Sequence, residues 1–175
     1  ISTAEAPPSV EVYLNNGDGS FTWADSNQSG NNELGEIVFA DFDEDGNLDM
    51  AVTEWDGGMG STVSIFFGEG DGTFDNKTDY QMQSIFATDL STYDIAAADF
   101  DGDGDIDLAV TLNDSWGNFQ SAIGIMGNNG SGVFTRTDTI TVEVPQGIEA
   151  GDFNNDGKID IATYVGGMMT IYFNN

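Results

Sequence analysis

The chain has 175 residues, 39% hydrophobic and 11% aromatic, which is enough apolar material for a packed core rather than a solvated acidic tail. Its formal net charge is -28, with Lys77, Arg136 and Lys158 the only cations. A surface of that sign repels phosphate backbones and anionic lipid, so nucleic acid and acidic membranes are poor partners, and no run approaches the roughly 18 apolar residues of a membrane span.

In chain order, residues 1–9 read as an extension or linker. Two short strands follow within 10–34, VEVYLNN at 10–16 and FTWADSN at 21–27, joined by the glycine turn NNGDGSF. The stretch 35–89 then carries four predicted strands. GEIVFADF (35–42) runs into an acidic loop, an apolar strand leaves it at Met50, TVSIFFG (62–68) comes third, and the turn GEGDGTF leads into a fourth. The same order recurs in 90–145, with YDIAAADF (93–100), an apolar run from Leu108, SAIGIMG (121–127) and the turn GNNGSGVF. It recurs in part in 146–175, with QGIEAGDF (146–153), Ile161 to Thr163 and MMTIYFNN (168–175). Gly is abundant at 23, Pro scarce at 3, and no segment holds a helical stripe, so the predicted fold class is all-β. Asp18 and Asp71 sit in the glycine turns, where turn chemistry accounts for them.

The acidic loops carry the chemistry. Residues 41–49 are DFDEDGNLD, 99–107 are DFDGDGDID and 152–160 are DFNNDGKID, all of the form D-F-[DN]-x-D-G-x-[IL]-D. As an extended strand, 99–107 would throw five like charges to one face, so a cation is needed to fold it. Oxygen ligands at positions 1, 3 and 5, a backbone carbonyl at 7 and glycine at 6 are the spacing of a calcium loop. The predicted ligands are Asp41, Asp43, Asp45, Asn47 and Asp49 in the first loop. The second offers Asp99, Asp101, Asp103, Asp105 and Asp107, and the third Asp152, Asn154, Asp156, Lys158 and Asp160, with Asn47, Asp105 and Lys158 contributing only their carbonyls. An EF-hand would need Glu at position 12, where this chain has Val52, Val110 and Thr163. The fourth side-chain ligand is instead the Asp at position 9, directly before an apolar run, so each loop joins strand to strand. Three Ca2+ ions would raise the net charge to -22.

The loop starts lie 58 and 53 residues apart, and a repeated four-stranded unit of roughly 40 to 60 residues is the pattern of propeller blades. With the three loops and the NNGDGSF-type turns, the chain resembles the FG-GAP or VCBS repeats, the blades of the integrin α-subunit propeller and of many secreted microbial proteins. That resemblance implies four-stranded antiparallel blades of β-propeller type, incomplete at both ends, because strand three occurs both as YLNN (13–16) and as YFNN (172–175). The expected partners are further repeats or other copies of the chain that complete the blades. A carbohydrate or protein ligand is a further expected partner. The chain opens at Ile1 and is read as a processed form or an excerpt. Millimolar calcium outside cells fills weak loops, so an extracellular or cell-surface location is expected.

With no His and no Cys the chain has no imidazole base, no thiolate and no disulfide, and most clustered acids are accounted for as ligands, so catalysis is not expected. Because the same loop recurs, the calcium is read as structural. Trp55, Trp116 and Tyr164 are expected in loops between strands two and three, as candidates for stacking on sugar rings or for packing between blades. Asn27, Asn76, Asn113 and Asn129 lie in N-x-[ST] sequons and are candidate glycosylation sites in a secreted chain. The expected role is a non-catalytic, extracellular calcium-binding module for adhesion, ligand binding or assembly. The alternative is the accessory carbohydrate-binding propeller of a polysaccharide-degrading enzyme.

Overall fold

The computed structural model describes residues 8–28, 33–55, 61–82, 91–113 and 121–175. They form thirteen strands in four antiparallel sheets. The first sheet pairs β1 (Ser9–Asn15) with β2 (Phe21–Gln28). The second runs β3 (Glu33–Ala40), β4 (Asp49–Trp55), β5 (Ser61–Gly68) and β6 (Phe74–Gln81), each pairing with the next. A third sheet of the same meander holds β7 (Ser91–Ala98), β8 (Asp107–Asn113), β9 (Ala122–Gly127) and β10 (Thr135–Thr141). The fourth has β11 (Pro145–Gly151), β12 (Asp160–Val165) and β13 (Met168–Tyr172).

Strand chemistry follows position in the meander. β4 and β8 are buried along almost their whole length and read as continuous small or apolar runs, because both faces of each sheet are covered by neighbours. The outer strand β6, FDNKTDYQ, is mostly exposed or half-buried and polar. Side chains two apart share a face, so β4 sends Met50 and Val52 toward the first sheet, where they pack with Phe66, Val10, Leu34 and Phe74. Ala51, Val63 and Ile65 go to the other side and meet Leu108, Val110, Leu112 and Met126 of the third sheet. The alternation repeats one sheet on, where Ala109, Ile123 and Ile125 meet Ile148 and Ile161 of the fourth. Full burial of one such isoleucine side chain stabilises by about 1.5 to 3 kcal/mol.

Each first strand carries a register shift at the same place, between Leu34 and Ile37, between Thr92 and Ile95, and between Pro145 and Ile148. These strands line a common cleft of about 540 Å³ formed by residues 36–39, 94–97 and 148–150. Asp94 accepts from the Ile148 amide at 2.9 Å and so ties β7 to β11 there. At the outer end of the second sheet, Lys77 joins buried Glu54 (3.1 Å) and Asp79 (3.0 Å) and lies 5.6 Å from the Phe66 ring centre. As expected, Asp18 and Asp71 serve their turns, each accepting from the amide and hydroxyl two residues on, Ser20 or Thr73.

Candidate metal-binding loops

Each acidic loop connects the first and second strands of its sheet, at one end of the cleft-lining strands. Its curl is set by two left-handed residues. Position 6 is Gly46, Gly104 or Gly157, with φ of +92°, +103° and +88°, and no atom lies within 4 Å of an added Cβ, so glycine is required by the torsion and not by crowding. Position 4 is left-handed too, at Glu44 (φ 60°), Gly102 (φ 82°) and Asn155 (φ 61°).

The curl turns main-chain amides toward the carboxylates. Asp41 accepts from the amides of Asp45 (3.1 Å) and Gly46 (3.0 Å). Asp99 accepts from Gly102 (2.7 Å) and Gly104 (3.1 Å), and Asp152 from Asp156 (3.1 Å) and Gly157 (3.0 Å). Position 3 joins in, with the Asp45, Asp103 and Asp156 amides donating to Asp43, Asp101 and Asn154.

The residue at position 9 has a second task that sequence alone did not reveal. Asp49 is fully buried. One of its oxygens accepts from the Phe42 amide of its own loop (2.8 Å) and the other from the Gly68 amide at the end of β5 (2.8 Å). Asp107 does the same with Phe100 (2.9 Å) and Asn128 (2.9 Å), and Asp160 with Phe153 (3.0 Å) and Asn174 (2.9 Å). One carboxylate thus fastens the loop to the third strand. A carboxylate has about four acceptor sites, so two amide bonds leave capacity for an ion.

Asp41, Asp43 and Asp49 bring one carboxylate oxygen each to within 4.8 Å of one another, and so do Asp99, Asp101 and Asp107. Oxygens on opposite sides of one calcium lie roughly 4.6 to 5.2 Å apart, twice the usual bond length, so both triads have the span to hold a metal ion. Burial pushes the Asp49 and Asp107 carboxyls up from their ordinary range, and the neighbouring loop acids add to the rise against the opposing amide bonds. A buried, electrostatically crowded carboxylate is one that a cation relieves. The donor set is oxygen throughout, which suits a hard cation.

Some predicted ligands are placed differently. Position 5 turns back on its own loop, with Asp45, Asp103 and Asp156 accepting from the amides of Asn47 (2.7 Å), Asp105 (2.9 Å) and Lys158 (2.9 Å). These two-residue turns compete with ligation for the same oxygens. In the third loop the Lys158 amide, together with the Asn154 amide group, which also donates to Asp156 (3.0 Å), holds the Asp156 carboxyl below its usual range.

Trp55 and Tyr164 are strand residues and not loop residues, because pairing extends to Trp55 opposite Ser61 and to Tyr164 opposite Met169. They are 37% and 47% exposed. Trp116 lies outside the described residues. Of the sequons, Asn27 and Asn113 sit within the fold. Both are buried, and their amide groups already donate to Asp25 (3.0 Å) and the Pro145 carbonyl (2.7 Å). Asn76 and Asn129 are exposed.

Stacked antiparallel sheets, three of them with a D-F-x-x-D-G loop between their first and second strands fastened by a buried aspartate, define a β-repeat module. Residues 2–52 and 41–110 match the family model of the FG-GAP-like repeat, and the chain belongs to that family. The third loop lies beyond the matched residues. No curated protein matches the chain.

Proposed function

We propose that the chain is a calcium-dependent, non-catalytic repeat module acting outside the cell in adhesion or surface assembly, its sheets being blades of propeller type. The observation that carries this reading is the pair of carboxylate triads, each built on a buried aspartate that also ties its loop to the third strand. Calcium accepts six to eight oxygens in flexible geometry, whereas magnesium demands a tight octahedron and keeps its waters, so a curled loop rich in carboxylates favours calcium. The Asp152, Asn154 and Asp160 set of the third loop would hold a further ion, giving three. Further repeats or other copies complete the blades, and Trp55, Trp116 and Tyr164 are the candidate contacts for a carbohydrate or protein ligand.

The test is metal analysis of the folded protein in millimolar calcium, with thermal melts in calcium and in excess EDTA. A ligand present at 100 times its Kd stabilises by about 2.7 kcal/mol per site, so chelation should lower the Tm by many degrees. Melts that coincide with and without chelator, or loops that take up no calcium, overturn the proposal.

A further inference from the structure

Resting on that calcium reading, we infer that the metal loops are linked in series through Asn128 and Asn174, so that an ion in one loop raises the affinity of the adjacent one. The two asparagines are positioning residues. Each touches the ligand-bearing peptides of two loops at once.

The carboxylates of a loop converge on its position-2 phenylalanine. Phe42 sits between Asp41 and Asp43 in the chain and donates its amide to Asp49 (2.8 Å), so one residue is joined to all three members of the first triad. Phe100 stands in the same relation to Asp99, Asp101 and Asp107, with its amide on Asp107 at 2.9 Å. Each phenylalanine then has one backbone polar group left, its carbonyl, and both carbonyls are taken up by the next sheet. That of Phe42 accepts from the Asn128 side-chain nitrogen (2.7 Å) and the Gly132 amide (2.9 Å), both of the β9–β10 turn. That of Phe100 accepts from the Asn174 side-chain nitrogen (2.7 Å), just past β13.

The same asparagines hold the following loop. The Asn128 amide donates to Asp107 (2.9 Å), and its side-chain nitrogen also reaches the Ile106 carbonyl (3.1 Å). The Asn174 amide donates to Asp160 (2.9 Å). A continuous path therefore runs from Asp49 through Phe42 and Asn128 to one oxygen of Asp107, and from its other oxygen through Phe100 and Asn174 to Asp160. Phe42, Asn128 and the three aspartates are buried, so the path has little room to give way. An ion that fixes Asp107 fixes the Asn128 backbone, and through its side chain the peptide that carries Asp43. The first ion bears the cost of ordering that joint, and the second meets a loop already set, which is positive coupling. Charge alone gives the opposite sign, since an ion in one loop cancels part of the negative field that draws the next, an effect limited by a screening length of about 8 Å at 0.15 M salt. The sign of the coupling thus tells the two apart.

The experiment is calorimetric calcium titration in 0.15 M salt. With the third loop silenced by Asp152→Ala, the first two loops are titrated together, and then each alone with its neighbour broken at position 3, by Asp43→Ala or Asp101→Ala. None of these changes touches a bond of the path. The coupling factor is the product of the paired affinities divided by the product of the single ones, and it should be about fivefold or more above one. Asn128→Ala keeps both triads and should bring the factor down to about one. A merely structural asparagine would instead lower stability and both affinities and leave the factor unchanged. The corresponding set with Asp43→Ala as background and Asn174→Ala as the test reads the second joint, and decides alone, at a part-buried site, if Asn128→Ala does not fold. A factor at or below one overturns the inference, as does one that survives the asparagine substitutions. Calcium bound without coupling sinks the link alone, whereas a chain that binds no calcium sinks the reading beneath it.

Discussion

In the second loop Asp99, Asp101, Asp103, Asp105 and Asp107 stand without a cation among them, whereas in the third Asp152, Asp156 and Asp160 share nine positions with Asn154 and Lys158. The hydrogen bonding is nonetheless nearly superimposable. Position 1 gathers two loop amides in each, and position 9 grips a loop Phe amide and an amide beyond the third strand. Backbone geometry therefore fixes the carboxylates at 1 and 9, while positions 3 and 7 are free to vary. On the calcium reading proposed above, those variable positions would set how strongly each loop demands an ion.

The largest effect should come from removing the shared element. Asp107→Ala orphans the Phe100 and Asn128 amides and removes one carboxylate of the proposed ion site. With about 1 to 3 kcal/mol for each buried unsatisfied group, we expect a loss of about 3 to 5 kcal/mol in chemical denaturation. Asp160→Ala should cost less, because its Asn174 partner is only part-buried. Equal losses would show that the two sites are equivalent after all.

Calcium titration followed by calorimetry sharpens the contrast in charge. The third loop should bind about tenfold or more weakly than the other two, and Lys158→Asp should narrow the gap by removing a like-signed neighbour of the ion. Three identical sites would contradict the idea that positions 3 and 7 set the demand.

Acidity separates the loops next. Asp49 and Asp107 have folded-state pKa values raised above 3.8, so without metal each contributes stability that is present below that value and lost as pH rises through the folded one. In EDTA, melting should therefore fall as pH rises from below 3.8 through the raised folded-state value. Calcium binds the ionised form and should invert that trend, its benefit shrinking on acidification. A calcium benefit that does not shrink as pH falls from 7 to below 3.8 would count against ligation by these two carboxylates.

The smallest effect concerns the left-handed residue at position 4. Glycine occupies it in the second loop, but Glu44 does so in the first at φ 60°. Glu44→Gly should stabilise by about 0.5 to 1 kcal/mol, read from the denaturation midpoint, through relief of backbone strain. Destabilisation would mean that Glu44 contributes more than its torsion costs.

Much of this was written in local spacing. The acidic nonamers, their glycines and the apolar runs behind them predicted the strand order of the second and third sheets, because turn chemistry and period-two burial act over a few residues. The double use of Asp49, Asp107 and Asp160 was not legible, since their second partners lie 19, 21 and 14 residues further along the chain. Nor were the amide contacts of Asn128 and Asn174, whose carbonyl partners are 86 and 74 residues away. The recurring NN after strand three was visible, but served only to mark that strand in YLNN (13–16) and YFNN (172–175). Trp55 and Tyr164 were expected in loops because nothing local shows how far a hairpin continues to pair. The buried pair of Lys77 and Glu54 depended on two strands meeting across β5.

The fastening of each loop by a single buried acid also gives this molecule its own gauge of occupancy. The amides of Phe42 and Gly68 report on one carboxylate, those of Phe100 and Asn128 on a second, and those of Phe153 and Asn174 on a third. On the proposed calcium reading, six resonances with distinct addresses in the chain would register, without any label, which pocket has filled and in what order.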